Sequence, residues 1–198
     1  MPQGSDLSPD LFNIYTADMP NSTNTTMASY ADDTLILSPG NDTAQSSIFL
    51  QNHLNLIENW ATKWRIKINP EKSVHVNMTP KKTECPSLYF QGSLIPNSTE
   101  VKYLGITLDK ILTWGPHLKS KRKKLNSRLH LLRPILKSKL SLHTKNIYKS
   151  LLRPMWAYAI HIWGCAKLSQ VHNIQAFQSI TLLLITSASW YISNSITA

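Results

Sequence analysis

A chain of 198 residues, 42% of them hydrophobic, is long enough to bury one core or two small ones and reads as globular. Its 21 Lys and Arg against 11 Asp and Glu leave a formal net charge of +10 and a pI near 9.7, an excess that favours a polyanionic partner, nucleic acid first, by attraction and by counterion release from phosphates. Cys85 and Cys165 lie in different segments without a CxxC or His-rich neighbourhood, which argues against a disulfide framework or a zinc site and leaves two inert thiols in a reducing compartment.

The first residues, Met1-Pro2-Gln3-Gly4-Ser5-Asp6, show no basic n-region and no apolar h-region. No signal peptide is read, and the Asn-x-Ser/Thr sites at Asn21 and Asn97 are expected to be unmodified. A helix follows: Ser8 is placed to cap it, Pro9 suits the first helical position, Leu11, Phe12 and Tyr15 supply an apolar face, and Pro20 marks its limit. After a polar loop over 21–26, Ala28-Ser29-Tyr30 and Thr34-Leu35-Ile36-Leu37 read as strands of a tight hairpin around Ala31-Asp32-Asp33. Asn41, Asp42 and Thr43 offer a cap for a second helix, in which Leu50, Leu54, Ile57, Ala61 and Trp64 recur at steps of four and three, so one face must be buried. Ile66 and Ile68, then Val74, Val76 and Met78, alternate on either side of an Asn69-Pro70 turn and predict a further strand pair. Leu88-Tyr89-Phe90 and Leu94-Ile95, joined through Gln91-Gly92-Ser93, repeat the hairpin pattern, and 101–108 reads as a strand.

Beyond Asp109 the pattern changes to long basic or apolar helices, with the boundary near 112–116. Leu118, Leu125, Leu129, Leu132 and Leu136 form one helical stripe, and Lys119, Lys121, Arg122, Lys123, Lys124 and Arg128 are assigned to the rest of that surface. Pro134 is expected to kink or end the helix. Further helices are predicted over 143–163, disturbed at Pro154, and over 169–185. The apolar run 180–185 is far short of the ~18 residues of a membrane span and reads as buried helix. No internal repeat is found. The fold class is α+β: residues 1–111 as helices against a mainly antiparallel sheet, and 112–198 as an all-helical part.

Asp32-Asp33 at a hairpin turn projects two carboxylates from a rigid support, and hard oxygen ligands are what Mg²⁺ prefers. Taken alone, a solvated acidic turn is the commoner reason for such a pair. Pro2-Gln3-Gly4-Ser5 stands at a helix entry, where glycine lets backbone approach a ligand closely and free N–H groups can face anions.

Together these pieces resemble one family, the reverse transcriptases of non-LTR (LINE) retrotransposons. Pro2-Gln3-Gly4-Ser5-Asp6-Leu7-Ser8-Pro9-Asp10-Leu11-Phe12-Asn13-Ile14-Tyr15 is similar to motif B, and Tyr30-Ala31-Asp32-Asp33-Thr34 to motif C. Ile66-Lys67-Ile68-Asn69-Pro70-Glu71-Lys72-Ser73 resembles the end of motif D, and Val101-Lys102-Tyr103-Leu104-Gly105-Ile106-Thr107-Leu108-Asp109 resembles motif E. Leu151-Leu152-Arg153-Pro154-Met155-Trp156-Ala157-Tyr158, and the stretch from Ile174-Gln175 to Trp190-Tyr191-Ile192-Ser193-Asn194, look like the post-palm region of jockey-type elements. The resemblance covers nearly the whole chain.

It implies a partial polymerase palm followed by a helical thumb, and template-directed DNA synthesis on RNA with two Mg²⁺ ions, or Mn²⁺ in their place. The implied partners are an RNA template, a DNA primer and deoxynucleoside triphosphates, with no membrane, in an intracellular setting of nucleus and cytoplasm. Asp32 would be the catalytic metal ligand of motif C and Asp33 its supporting neighbour. Tyr30 and Ala31 would pack near the primer end, and Gln3, Gly4 and Ser5 would border the incoming nucleotide and template. Lys72 would sit near the triphosphate, and Tyr103, Leu104 and Gly105 would form the hairpin that holds the primer. Lys119, Lys121, Arg122, Lys123, Lys124 and Arg128 would track a phosphate backbone without reading sequence.

The family takes another metal-ligand aspartate from motif A, a strand upstream of motif B. The chain begins after that position, and none of Asp18, Asp42 or Asp109 sits in a sequence that would replace it. The isolated chain is therefore expected to lack measurable polymerase activity and to carry an unpaired strand edge that favours aggregation. Asp6 and Asp10 stand where the family has apolar residues, at a cost if they were buried. Two other readings of the same residues are a non-catalytic, basic nucleic-acid-binding remnant and an inert pseudogene product.

Overall fold

The computed structural model describes residues 6–81, 83–136 and 146–188, and the chain divides into two compact units, Met1–Gly105 and Ile106–Ala198. The first contains α1 (Ser8–Thr16), β1 (Thr26–Tyr30), β2 (Asp33–Leu37), α2 (Thr43–Lys63), β3 (Tyr89–Phe90), β4 (Ser93–Leu94) and β5 (Glu100–Tyr103). The α+β class holds, but the strands form separate ladders rather than one continuous sheet. β1 pairs antiparallel with β2, Tyr30 opposite Asp33, and β3 with β4, Phe90 opposite Ser93.

Helix α2 organises this unit because its apolar spacing gives it one buried face. Ile57 packs with Leu88, Phe90 and Ile95, and Ile36, Leu50, Leu54 and Ile68 close around them. The Gln51 side chain then acts on β3 as a strand would: its amide donates to the Tyr89 carbonyl at 2.8 Å and its oxygen accepts the Tyr89 N–H at 2.9 Å. Gln91 and Gly92 join β3 to β4 with φ of 50° and 71°, the left-handed pair that a two-residue hairpin loop demands.

Three local readings are corrected. Leu7, not Ser8, precedes α1, and Ser8 lies inside the helix with Pro9 in its first turn. No residue of α1 is buried, and Asp6 and Asp10 are exposed, so neither carries a burial cost. The strand pair expected from 66–78 does not form. Pro70 has no N–H for a ladder, and Pro70–Lys72 is instead a 3-10 turn whose entry is held by the Asn69 side chain accepting the Glu71 N–H at 3.0 Å. Ile68 joins the core, while His75 makes an isolated parallel bridge with Asn97.

Asp18 ties α1 to the end of α2, accepting from the indole N–H of Trp60 at 2.7 Å and of Trp64 at 2.9 Å. The Trp60 bond, with help from Trp64 and Lys63, outweighs burial and holds this carboxylate below its usual range.

The second unit contains β6 (Ile106–Asp109), α3 (Gly115–Leu136), a π-helical turn at Tyr148–Leu152, α4 (Arg153–Ala157), α5 (Ile160–Trp163) and α6 (Leu168–Thr186). The leucine stripe of α3 faces inward as its spacing requires: Leu118, Leu125 and Leu136 are buried with Trp114, Leu152, Trp163, Ile174 and Phe177, and Leu129 and Leu132 pack against them. Pro134 lies within the last turn of α3.

The helix predicted over 143–163 is broken in its described part, and 143–145 lie outside the described residues. Pro154 enters the first turn of α4 after the π-helical turn, and Ala159, with φ of 56°, separates α4 from α5. The strand read over 101–108 is likewise interrupted, at Leu104 and Gly105 with φ of 44° and 78°. The run 180–185 is helical, though Ile180 is exposed. Among the described residues no helix is long and apolar enough to cross a membrane.

Asp109 organises the entry to α3. Its carboxylate accepts the Thr113 N–H at 2.9 Å, the Thr113 hydroxyl at 2.8 Å and the Trp114 N–H at 2.9 Å. Burial opposes the charge, but these donors outweigh it and hold the group below the usual carboxylate range. Asp109→Ala should therefore cost about 2–4 kcal/mol in urea denaturation. Asp42→Ala, whose side chain makes no capping bond to α2, should change stability by less than about 0.5 kcal/mol.

Candidate active site

The β1–β2 connection is a two-residue turn, Ala31-Asp32, with Asp33 opening β2 opposite Tyr30. Ala31 takes a left-handed φ of 51°, a conformation that costs a residue with a Cβ roughly 1–2 kcal/mol and that collects at functional sites. Both carboxylates stand in solvent, and Tyr30 beside them is 67% exposed. Among the described residues neither β1 nor β2 has a second neighbouring strand, so both outer edges are open.

A two-stranded ribbon is marginal by itself, and three ties seat this one on α2. Ile36 packs against the core, and the Ser38 hydroxyl donates to the Ser46 carbonyl at 2.8 Å. The third tie is His53, wholly buried on α2. Its Nε2 meets the Pro20 carbonyl at 2.8 Å, a group that only accepts, so Nε2 carries the proton. Nδ1 then accepts from the Thr25 hydroxyl at 2.6 Å, at the residue before β1. The sequence reading missed His53, although its position between Leu50 and Ile57, at helical steps of three and four, places it on the buried stripe.

The structure thus joins Tyr30, Ala31, Asp32 and Asp33 in one seated turn. Lys72 is exposed at the end of the 3-10 turn, Tyr103 closes β5, and Leu104 and Gly105 form the bend after it. Gln3, Gly4 and Ser5 lie outside the described residues. Asp32 and Asp33 have the oxygen donors that Mg²⁺ takes. Among the described residues, however, no three His, Cys, Asp or Glu side chains gather into a metal-binding cluster. Asp18 and Asp109 are engaged in the hydrogen bonds described above.

On α3 the basic residues divide into two sets. Lys119, Lys123, Lys124 and Arg128 are exposed. Lys121 is not: it is 8% exposed, its ammonium donates to the Tyr158 carbonyl at 2.8 Å and it lies 4.8 Å from the Trp163 ring centre. Arg122 is half-buried over the Phe177 ring. Helical periodicity explains the correction, since both positions fall between Leu118 and Leu125 on the inward stripe.

Residues 1–108 match the family described as reverse transcriptase (RNA-dependent DNA polymerase). The chain belongs to the reverse transcriptase family. This reverse transcriptase chain is 36% identical over 202 residues to the RNA-directed DNA polymerase from mobile element jockey of Drosophila funebris, a match covering 96% of the chain and 22% of the relative. It is 35% identical to the probable RNA-directed DNA polymerase from transposon BS of Drosophila melanogaster, over 97% of the chain and 23% of the relative. Against the X-element polymerase of the same species the identity is 34%, over 98% of the chain and 22% of the relative. The chain spans about 22% of the length of these relatives. No solved structure matches it. Reverse transcriptases in general use divalent metal ions, a nucleic-acid template and nucleotide substrates.

His53→Ala should leave the Pro20 carbonyl and Thr25 hydroxyl unpartnered and cost about 2–4 kcal/mol. Hydrogen exchange should report it as faster exchange across 26–37, ahead of the second unit.

Burial lowers the Lys121 ammonium from its ordinary 10.5 to about 8. Between those values the unfolded chain keeps a proton that the folded chain has lost, so stability should rise with pH across that window. Lys121→Met should flatten the rise in thermal melts. His117 is lowered to about 4 by burial, then by Lys121 and Lys124, so its contribution is lost as pH falls from 6.5 towards 4.

Proposed function

We propose that the chain supplies the motif B to motif E share of the palm, residues 1–111, and the basic helical thumb with the start of the post-thumb region, residues 112–198, of an RNA-directed DNA polymerase. The observation that carries this reading is the Tyr30-Ala31-Asp32-Asp33 turn, a strained bend with two solvent-facing carboxylates held on α2 by a buried histidine. Asp32 and Asp33 would hold Mg²⁺, or Mn²⁺, which when bound activates a primer 3′ hydroxyl and stabilises the departing pyrophosphate.

The protein's own groups position the reactants. His53 and Ser38 keep the carboxylates in register, and Tyr30 and Ala31 offer ring and backbone to the primer end. Gln3, Gly4 and Ser5 border the incoming nucleotide and template, and Lys72 neutralises triphosphate charge. Tyr103, Leu104 and Gly105 hold the primer. The exposed set Lys119, Lys123, Lys124 and Arg128 takes the phosphate backbone. Lys121 is withdrawn from it because its ammonium is buried, and Arg122 because its guanidinium packs over the Phe177 ring. The substrates are an RNA template, a DNA primer and deoxynucleoside triphosphates, met in nucleus and cytoplasm.

The exposed face of α3 also favours a second reading, binding without chemistry. The two separate in one set of measurements. The purified chain should bind a short RNA–DNA duplex with an affinity that falls steeply with salt. Changing Lys119, Lys123, Lys124 and Arg128 together to Gln should lower the log–log salt slope by about 3–4. An unchanged slope would remove α3 as the contact. Asp32→Asn should leave binding intact. Extension of oligo(dT) on poly(rA) should be absent for the chain alone. It should appear, metal-dependent and abolished by Asp32→Asn, only when a longer chain adds a third carboxylate.

A further inference from the structure

Charge is divided unevenly along the chain. Residues 106–198 carry 14 of the 21 Lys and Arg but a single acid, Asp109. That carboxylate is committed to Thr113 and Trp114. Among its described residues the second unit therefore has no free carboxylate, and α3 bears the consequence. Lys121 is held by a carbonyl and an indole face, and among the described residues no carboxylate pairs with it. Beside it, Arg122 Nη1 and His117 Nε2 are buried without a hydrogen-bond partner among the described residues. A hydrocarbon side chain would fill the Lys121 position at lower cost, so the charge itself needs a cause.

We propose that the phosphates of a nucleic-acid strand lying along the exposed face of α3 are the counter-charge for Lys121, so that binding the strand draws a proton onto its amine. The inference rests on the nucleic-acid reading of α3 given above. Lys119 and Lys123 stand two residues to either side of Lys121, and Lys124 three beyond, so phosphates met by those side chains lie across the width of one helix from the buried amine. Attraction across protein interior is less screened than across solvent.

The surroundings leave that role to an outside anion. On α3 the titratable neighbours in sequence, His117, Arg122 and Lys124, bring no negative charge, and the α4–α5 joint contributes the Tyr158 carbonyl and the Tyr158 and Trp163 rings. From α6 the titratable group is His172 and from α5 His161, both exposed, and from the π-helical turn and α4 come Lys149 and Arg153, also exposed. On β6, Asp109 stays within its own hydrogen bonds. Every cation nearby weakens the amine's hold on its proton, and only added negative potential strengthens it. With a folded value of about 8, the amine is half-protonated near pH 8, where such a potential moves the most protons.

The full chain titrated calorimetrically at pH 8 with a short RNA–DNA duplex, in HEPES and in Tris, reads the protons taken up from the difference in heat. Uptake of up to about half a proton per complex is expected, falling towards zero at pH 6.5. Lys121→Arg keeps the charge without titrating in this range, and should bind within about threefold of the unsubstituted chain with no uptake. In the unsubstituted chain, ¹⁵N-lysine NMR should show the Lys121 Nζ midpoint rising when duplex is added, which keeps the test independent of any folding defect in the variant. Binding without proton uptake, uptake that survives Lys121→Arg, or a stationary Nζ midpoint would overturn this inference and leave the nucleic-acid reading standing. Absence of any salt-dependent binding would overturn both.

Discussion

His53 lies in the apolar stripe of α2 with both ring nitrogens used, one by the Pro20 carbonyl and the other by the Thr25 hydroxyl, and the position of the acidic turn follows from those two bonds. The loop from Pro20 to Thr25 delivers the chain to β1, so anchoring its two ends sets where the strand begins. Ile36 and Ser38 then secure the return strand. A ribbon of two short strands gains little from its own ladder, and its carboxylates would wander without such a support. The histidine converts a local turn into a rigid display, because a buried imidazole with both nitrogens satisfied tolerates almost no displacement.

The same unit uses side chains in place of missing strands. Gln51 pairs with the Tyr89 backbone, and Asp18 gathers two indole N–H groups at the C-terminal end of α2. The Gln51 bonds satisfy backbone groups that a further strand would pair, and the Asp18 bonds satisfy two side-chain donors at the helix end. Left-handed backbone at Ala31, Gln91 and Leu104 makes the tight reversals between short strands possible without a run of glycines. Two of these turns carry residues assigned to chemistry, Ala31 beside the acidic pair and Leu104 beside Gly105.

In the second unit the governing feature is uncompensated positive charge. Asp109 serves the entry to α3 and cannot also neutralise the helix. Exposed lysines tolerate this in solvent, but Lys121 and Arg122 are carried into the interior by the periodicity of the leucines around them. They pack against carbonyl and aromatic groups, an arrangement that supports a cation only weakly compared with a carboxylate. The helix therefore keeps a positive charge that its own unit does not neutralise.

Much of this was legible in the residues alone. The spacing of Leu50, Leu54, Ile57 and Ala61, and of Leu118, Leu125 and Leu136, determined two helices and their buried faces, because a 3.6-residue period leaves little choice. The Tyr30-Ala31-Asp32-Asp33 run between short apolar strands determined a hairpin and, with the other motifs, the family. Alternation at 66–78 misled, since pattern cannot say whether a partner strand is in reach, and Pro70 removed a donor the ladder would have needed. Lys121 was read as surface because its charge was weighed ahead of its helical phase. What only the tertiary structure decided was the partner of each distant polar side chain: His53 with Thr25 and Pro20, Asp18 with Trp60 and Trp64. Hydrogen bonds between segments tens of residues apart depend on how helices and loops meet in space, and no local period in the sequence encodes that meeting.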